Sequence, residues 1–478
     1  AENTLRDGSP VNAMGVGADG VRIAGFTVRN SSAVGIFLLN SDNAIIDSNF
    51  FIGNGRFGVG ASGTGGLVLN GNVARANNET GFSVASAPVR SVSNPPPGCP
   101  SSFGACIIRN IANEHSRDGF LMTTGGDYQV IENTAMNNGI SGIEINNRGN
   151  ATPLNSRVLD NLTANNGGVL FPFSGTGILI TEFAHAEEIS GNQVVNNRPG
   201  GIAVFEDATA VRVEDNVIQN SKQNGLIIQK RSYVESVTGN QVVDSGLAGI
   251  FVENSAEVDN MNGNLVQNNG TCSNCTAAKG GLAILGDSVV RTVHDNSFDR
   301  NSLGMQIANG SMAETVTQST FNNSGGGGVL VRQNSSIPNF SDNEVRNNRG
   351  ASSVALDESS GMIARCEITA PAGVGVSLFQ ASTLMMQESS VSNALAEGIA
   401  VYEGSQLDLS FVDVLNNGDS GILTAGAGTA ATIADSAVTG NNGYGLNAQG
   451  ESSITCTGST VVSGNAQGQT LGNVTGCN

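Results

Sequence analysis

Gly201-Ile202-Ala203-Val204, Gly225-Leu226-Ile227-Ile228 and Gly249-Ile250-Phe251-Val252 follow one another at a step of 24 residues. Each reads Gly, apolar, any, apolar, and each is too short and too β-branched to be a helix. Working outward, the signature returns at Gly35, Gly58, Gly81, Gly119, Gly142 and Gly177 on one side. On the other it returns at Gly281, Gly304, Gly328, Ser353, Gly375, Gly398, Gly421 and Gly445, which makes seventeen matches. The commonest steps are 23 and 24, and the exceptions of 38, 35 and 32 are one period plus an insertion. A unit this short cannot bury a face alone, so it must stack on its neighbours, each coil pairing in parallel with the next. The expectation is an all-β solenoid of about eighteen coils rather than the roughly three domains that 478 residues would otherwise suggest.

A second column fixes the register. Asn stands nine residues before the repeat Gly at Asn49, Asn72, Asn110, Asn133, Asn192, Asn216 and Asn240, and within one residue of that offset at Asn296 and Asn343. Asparagine tolerates the left-handed turn conformation, and its amides can hydrogen-bond to one another when stacked at the strand spacing. With both columns in place, residues 20 to 460 resemble the right-handed parallel β-helix repeat proteins of the pectin-lyase-like superfold. That family spans polysaccharide lyases, hydrolases, C5-epimerases, tailspikes and surface proteins, so the resemblance implies a fold and leaves function open. The organisation expected is a lead-in over 1–20, a β-helix over 21–455 with insertions near 85–106, 149–176 and 268–280, and a cap over 456–478.

Composition narrows the function classes. Twenty-two basic against 41 acidic residues give a net charge of −19, which argues against nucleic acid as a partner. No run of about 18 apolar residues exists, so no transmembrane helix is expected. Ala1 opens without a basic, apolar leader, so an export signal, if there was one, is expected to be gone already. The start shows no cap, which implies a covering partner or removed upstream sequence. Cys99 with Cys106, Cys272 with Cys275, and Cys456 with Cys477 are expected as three local disulfides, the last closing the tail over the final coil. A four-cysteine zinc site fails on distance, because the first two pairs lie six or seven coils apart, roughly 30 Å at ~4.8 Å per coil. Three disulfides imply an oxidising compartment: extracellular, cell-surface or periplasmic. Cys366, in the asparagine column, should be buried and reduced.

The working face is expected between the second and third insertions. Outward positions there are Leu179, Ala203, Ile227 and Phe251, followed by Thr181, Phe205, Gln229 and Glu253, an apolar stripe suited to a protein partner or self-association. Beyond it come Glu182 and His185, then Glu206 and Asp207, then Lys230, Arg231 and Tyr233. Stacking should bring these within about 5 to 10 Å. Glu182, Glu206 and Asp207 could then hold a calcium ion, although no cofactor is required. The resemblance to β-helix lyases and epimerases would make Lys230 or Tyr233 the base and Arg231 or His185 the acid or carboxylate clamp on a polysaccharide. Against this, the family's hydrolase and alginate-epimerase motifs do not occur as sets, Asn417-Gly418-Asp419 stands alone, and the chain has no Trp and four Tyr. His115 and His294 read as turn residues. An exported structural, adhesive or assembly component is the leading expectation, with a polysaccharide lyase or uronate C5-epimerase as the alternative.

Overall fold

The computed structural model describes residues 11–148, 155–167, 175–272 and 279–477. The chain forms two compact units, Ala1–Ser245 and Gly246–Asn478, built on one plan. A representative coil of the first unit has three strands, Gly200–Phe205, Thr209–Glu214 and Val217–Gln219. Each pairs in parallel with its counterpart in the preceding coil, Thr176–Thr181, His185–Ser190 and Gln193–Val195. Three parallel sheets result, and the two units together comprise about eighteen coils. Among the described residues there is no helix.

The repeat puts like on like. Phe120, Ile143, Ile178, Ile202 and Leu226 lie in one register column of the first unit, all fully buried. In the second unit Ile250, Leu282, Met305, Val329, Val354, Val376, Ile399, Ile422 and Leu446 form the same column, so Ser353 does not interrupt it. The repeat glycine makes room for the next coil. A Cβ on Gly142 would lie 2.6 Å from the Gly177 carbonyl oxygen, and one on Gly201 would lie 2.4 Å from Ile218 Cγ2.

Inside the coils the asparagine column is a hydrogen-bonded ladder. Asn72 Oδ1 accepts from the backbone N of Asn49 (3.0 Å) and from its Nδ2 (3.0 Å), while Asn72 Nδ2 donates to Ile46 O (2.8 Å) and to Asn110 Oδ1 (2.9 Å). Both donors and both lone pairs are thereby used, which lets a fully buried amide avoid the cost of an unpaired polar group. The left-handed residue is not the ladder asparagine. It is the residue just before it, as at Ser48 (φ 54°), Glu132 (53°) and Asp215 (53°), whose conformation turns the following side chain inward. Cys366 takes a rung as expected: it is free and buried, receives the Asn343 backbone N–H, and burial pushes its thiol up to about 11.

The sequence reading did not find a second ladder, which runs Asn54, Asn77, His115, Asn138, Asn166 and Asn197 in the first unit. His115, in the bend between strands Ile111–Asn113 and Phe120–Thr123, is thus also a rung of this ladder. Its Nδ1 accepts from the Asn77 backbone N (3.1 Å), and its own N–H reaches Asn138 Oδ1 (3.1 Å).

Cys99–Cys106 and Cys456–Cys477 are bonded. Cys272 is disulfide-bonded too, while Cys275, its expected partner, lies outside the described residues. The first insertion carries a short antiparallel pair, Arg90–Ser91 with Ser102–Phe103, and Phe103 and Cys106 pack with Val68, Ile108 and Ile131. Parallel pairing is already present at Met14–Val16, and past Cys456 it continues through Gly468–Gly472 and Val474–Thr475.

Two buried groups of the first unit titrate in opposite senses. Burial drops the His115 pKa from 6.5 to about 4, so its contribution to stability is complete above about pH 6.5 and is lost as the pH falls towards 4. Asp118 is 1% exposed; its Oδ1 accepts from the Ser141 N–H (3.0 Å), and its Oδ2 has no partner among the described residues. Burial, with Glu144 adding to it, raises its pKa from 3.8 to about 7, so its contribution is complete below the ordinary carboxylate range and is lost as the pH rises to 7. His115→Asn, which restores an amide to the ladder, is expected to raise stability by ~2 kcal/mol more at pH 5 than at pH 8. Asp118→Asn is expected to do the reverse, stabilising at pH 8 by on the order of a few kcal/mol and little at pH 4. Chemical denaturation at the two pH values, followed by circular dichroism, checks both.

Candidate functional site

The outer face of the first sheet in the first unit carries a cleft of about 470 Å³. Its floor comes from the position between the two inward apolar residues of the repeat. Glu144, Leu179, Ala203 and Ile227 lie there in register on successive strands, with Asn146, Thr181, Phe205 and Gln229 two residues further on. The expected stripe is therefore outward but not freely exposed: Ala203 is 3% and Ile227 9% exposed, and Leu179 and Phe205 are half-buried. Pro199, Gln223 and Asn224 bound one side, and Arg148, Glu182, Glu206 and Lys230 bound the other.

The charged side is set by a repeated corner. Glu182 and Phe183, Glu206 and Asp207, and Lys230 and Arg231 are consecutive pairs in the left-handed conformation, with φ between 53° and 65°. Backbone bonds from Glu206 N to Gln229 O (3.3 Å) and from Asp207 N to Lys230 O (3.0 Å) stack one corner on the next. Equivalent side chains of opposite sign then meet. Lys230 Nζ donates to Glu206 Oε1 at 2.7 Å and lies 4.3 Å from the Phe205 ring centre. Arg231 grips both oxygens of Asp207 at 2.8 and 2.6 Å, and Arg148 Nε reaches Glu182 Oε2 at 2.5 Å.

The residues expected to gather around one centre are thus divided. Glu182, Glu206 and Lys230 line the cleft, whereas Asp207 and Arg231 do not. His185 and Tyr233 open strands of the second sheet, where they share a column with Thr209; His185 Nδ1 and Thr209 Oγ1 are 2.7 Å apart. Burial pulls the His185 pKa below the usual imidazole range, with Glu187 opposing. Phe251 and Glu253 belong to the second unit, where Phe251 packs against Ala248, Ala283, Leu285 and Ala308. The three carboxylates considered for calcium each hold a different cation side chain, and among the described residues no three His, Cys, Asp or Glu side chains are grouped to hold a metal.

Sequence reading missed Glu144, which closes one end of the cleft. Its signal was present: in the seventeen repeats it is the one ionisable residue at the outward position of Gly, apolar, any, apolar. Glu144 is half-buried, and Asn146 Nδ2 donates to its Oε1 at 2.7 Å. Burial raises its pKa above the usual carboxylate range, aided by Glu182 and opposed by the Asn146 hydrogen bond and by Arg148 and Arg117.

Residues 174–314, which include most of the cleft, match the family model described as periplasmic copper-binding protein (NosD). Among solved structures, the mannuronan C-5 epimerase AlgE4 A-module of Azotobacter vinelandii aligns at 12% identity with a TM-score of 0.28, over 88% of this chain and 91% of that one. No curated protein matches the chain. The model described as right handed beta helix region matches residues 2–95, 280–435 and 352–475, more than half of the sequence. With its parallel coils and repeating columns, the chain belongs to the right-handed β-helix family.

Proposed function

We propose that this is an exported β-helix protein that works by binding, with the outer face of its first sheet between Glu144 and Lys230 as the recognition surface. The observation that carries the reading is the cleft itself: an apolar floor set into the outer face of a polar, acidic molecule. Export accords with the disulfides, which persist in oxidising compartments, and with the periplasmic name of the family that residues 174–314 match. Binding is favoured over catalysis because the rim charges are engaged with one another. A lyase or epimerase using Lys230 as base would first have to free it from Glu206 and Phe205, while His185 and Tyr233 stand on another sheet.

The test is interferometry against extracellular polysaccharides, small-molecule extracts and the immobilised protein itself. Ile227→Lys, folded with unchanged thermal unfolding, is expected to weaken whatever binding wild type shows at least tenfold, while Arg231→Ala, outside the cleft, stays within twofold. Equal binding by Ile227→Lys would refute the assignment of this face. Turnover of a uronate polymer by wild type and not by Lys230→Met, read as ultraviolet absorbance of unsaturated product, would put catalysis in its place.

A further inference from the structure

The character of the cleft limits what can occupy it. Both cations on its rim already hold carboxylates, Arg148 on Glu182 and Lys230 on Glu206, so neither is available to an anionic ligand without breaking an ion pair. The chain's charge of −19 opposes anions further. The floor from Leu179 to Ile227 is hydrocarbon, and Phe205 extends it. From the rung of Glu144 to that of Ile227 is three strand spacings, roughly 14 Å. A volume of about 470 Å³ over that length falls within the roughly 300–1,000 Å³ of small-molecule sites.

Glu144 adds the polar element. One carboxyl oxygen is pinned by Asn146, and no described residue hydrogen-bonds the other, Oε2. Flanked in its column by Leu121 and Leu179, it faces Arg117 and Asp118 from the bend that leads into the strand before, Glu182 from the corner that ends the strand after, and Arg148 beyond its own strand. Resting on the binding reading above, we propose that the cleft takes an uncharged, elongated small molecule, its apolar side on Leu179, Ala203 and Ile227 and its acceptor oxygen at Glu144, which serves as hydrogen-bond donor. Burial favours the neutral carboxyl that this role needs, and a carboxylate at the same place would present lone pairs to the acceptor and repel it.

The probe is Prodan, a neutral naphthalene whose ketone oxygen sits at one end and whose emission responds to burial and hydrogen bonding. Its anionic counterpart is toluidinylnaphthalene sulfonate. Wild type is expected to bind Prodan about tenfold more tightly at pH 5 than at pH 8, and to bind it more tightly than the sulfonate at both. Glu144→Gln, which keeps an N–H donor and cannot ionise, is expected to hold the pH 5 affinity within twofold across the range. Glu144→Leu should bind more weakly than wild type at pH 5 and show no pH dependence. Unchanged pH dependence in Glu144→Gln, or equal binding of the sulfonate, overturns the proposal while leaving the cleft a binding site. Ala203→Glu, which fills the floor with charge, separates the two readings: Prodan binding identical in wild type and this variant, or absent from both, overturns the cleft as a site and the proposal with it.

Discussion

Inside each unit, the backbone of a coil is satisfied by the coils that flank it. Val217 N bonds to Asn192 O, and Gln241 N to Asn216 O, each at 2.9 Å, and the pattern recurs along each unit. Because unpaired buried amides are costly, this pairing fixes the spacing between coils, and every side chain is then held one strand spacing from its equivalents. An apolar residue meeting its copy makes a core. A charged one meeting its copy inside would be repelled in a low dielectric. An amide can follow itself repeatedly, since it donates and accepts in the same plane, and the two ladders described above are accordingly built mainly of asparagine, with serine and Cys366 on some rungs of the second unit. A hydroxyl can do so too: in the second unit Ser288, Ser311, Ser335, Ser359, Ser382 and Ser405 follow one another, each backbone N–H donating to the next Oγ.

Outside, the same spacing sets a different requirement. The two-residue left-handed corner brings Glu206 beside Lys230 and Asp207 beside Arg231, so equivalent positions carry opposite charge. Pairs as exposed as these contribute little to folding stability. Their effect is electrostatic and local. They consume the cations on one wall of the cleft, leaving a site whose floor is hydrocarbon and whose rim is neutralised. The glycine that lets the coils approach closely and the corner that pairs the charges therefore determine together what the cleft can accept.

The fold was legible because its period is nearly constant, and seventeen repeats make a column that insertions of a dozen residues do not hide. The first ladder was legible for the same reason, and the Cys99–Cys106 and Cys456–Cys477 disulfides were legible from the local spacing of their cysteines. The second ladder was not: Asn54, Asn77 and Asn138 stand four residues before the repeat glycine, but asparagine is also the commonest choice for turns, and the second insertion displaces Asn161 and Asn166 from both offsets. In the site, spacing along the chain gave the stacking of coils correctly and the direction around the coil poorly. Neighbours at a left-handed corner part company, so Glu206 and Lys230 reach the cleft while Asp207 and Arg231 do not, and His185 and Tyr233, two or three residues on, have already entered the second sheet.

Glu144 is the exception to the columns, which gives it its meaning. At sixteen of the seventeen equivalent positions the chain uses an uncharged residue, often Leu, Ile or Ala, and the coil forms without difficulty. A carboxyl between Leu121 and Leu179 gains nothing from its column and loses hydration. The surroundings relieve that cost only in part: Asn146 binds one oxygen, and Arg148 is divided between Glu144 and Glu182. Local departures from an otherwise consistent pattern concentrate at sites retained for a purpose other than folding. This one faces the cleft, and a leucine in its place would serve the solenoid as well.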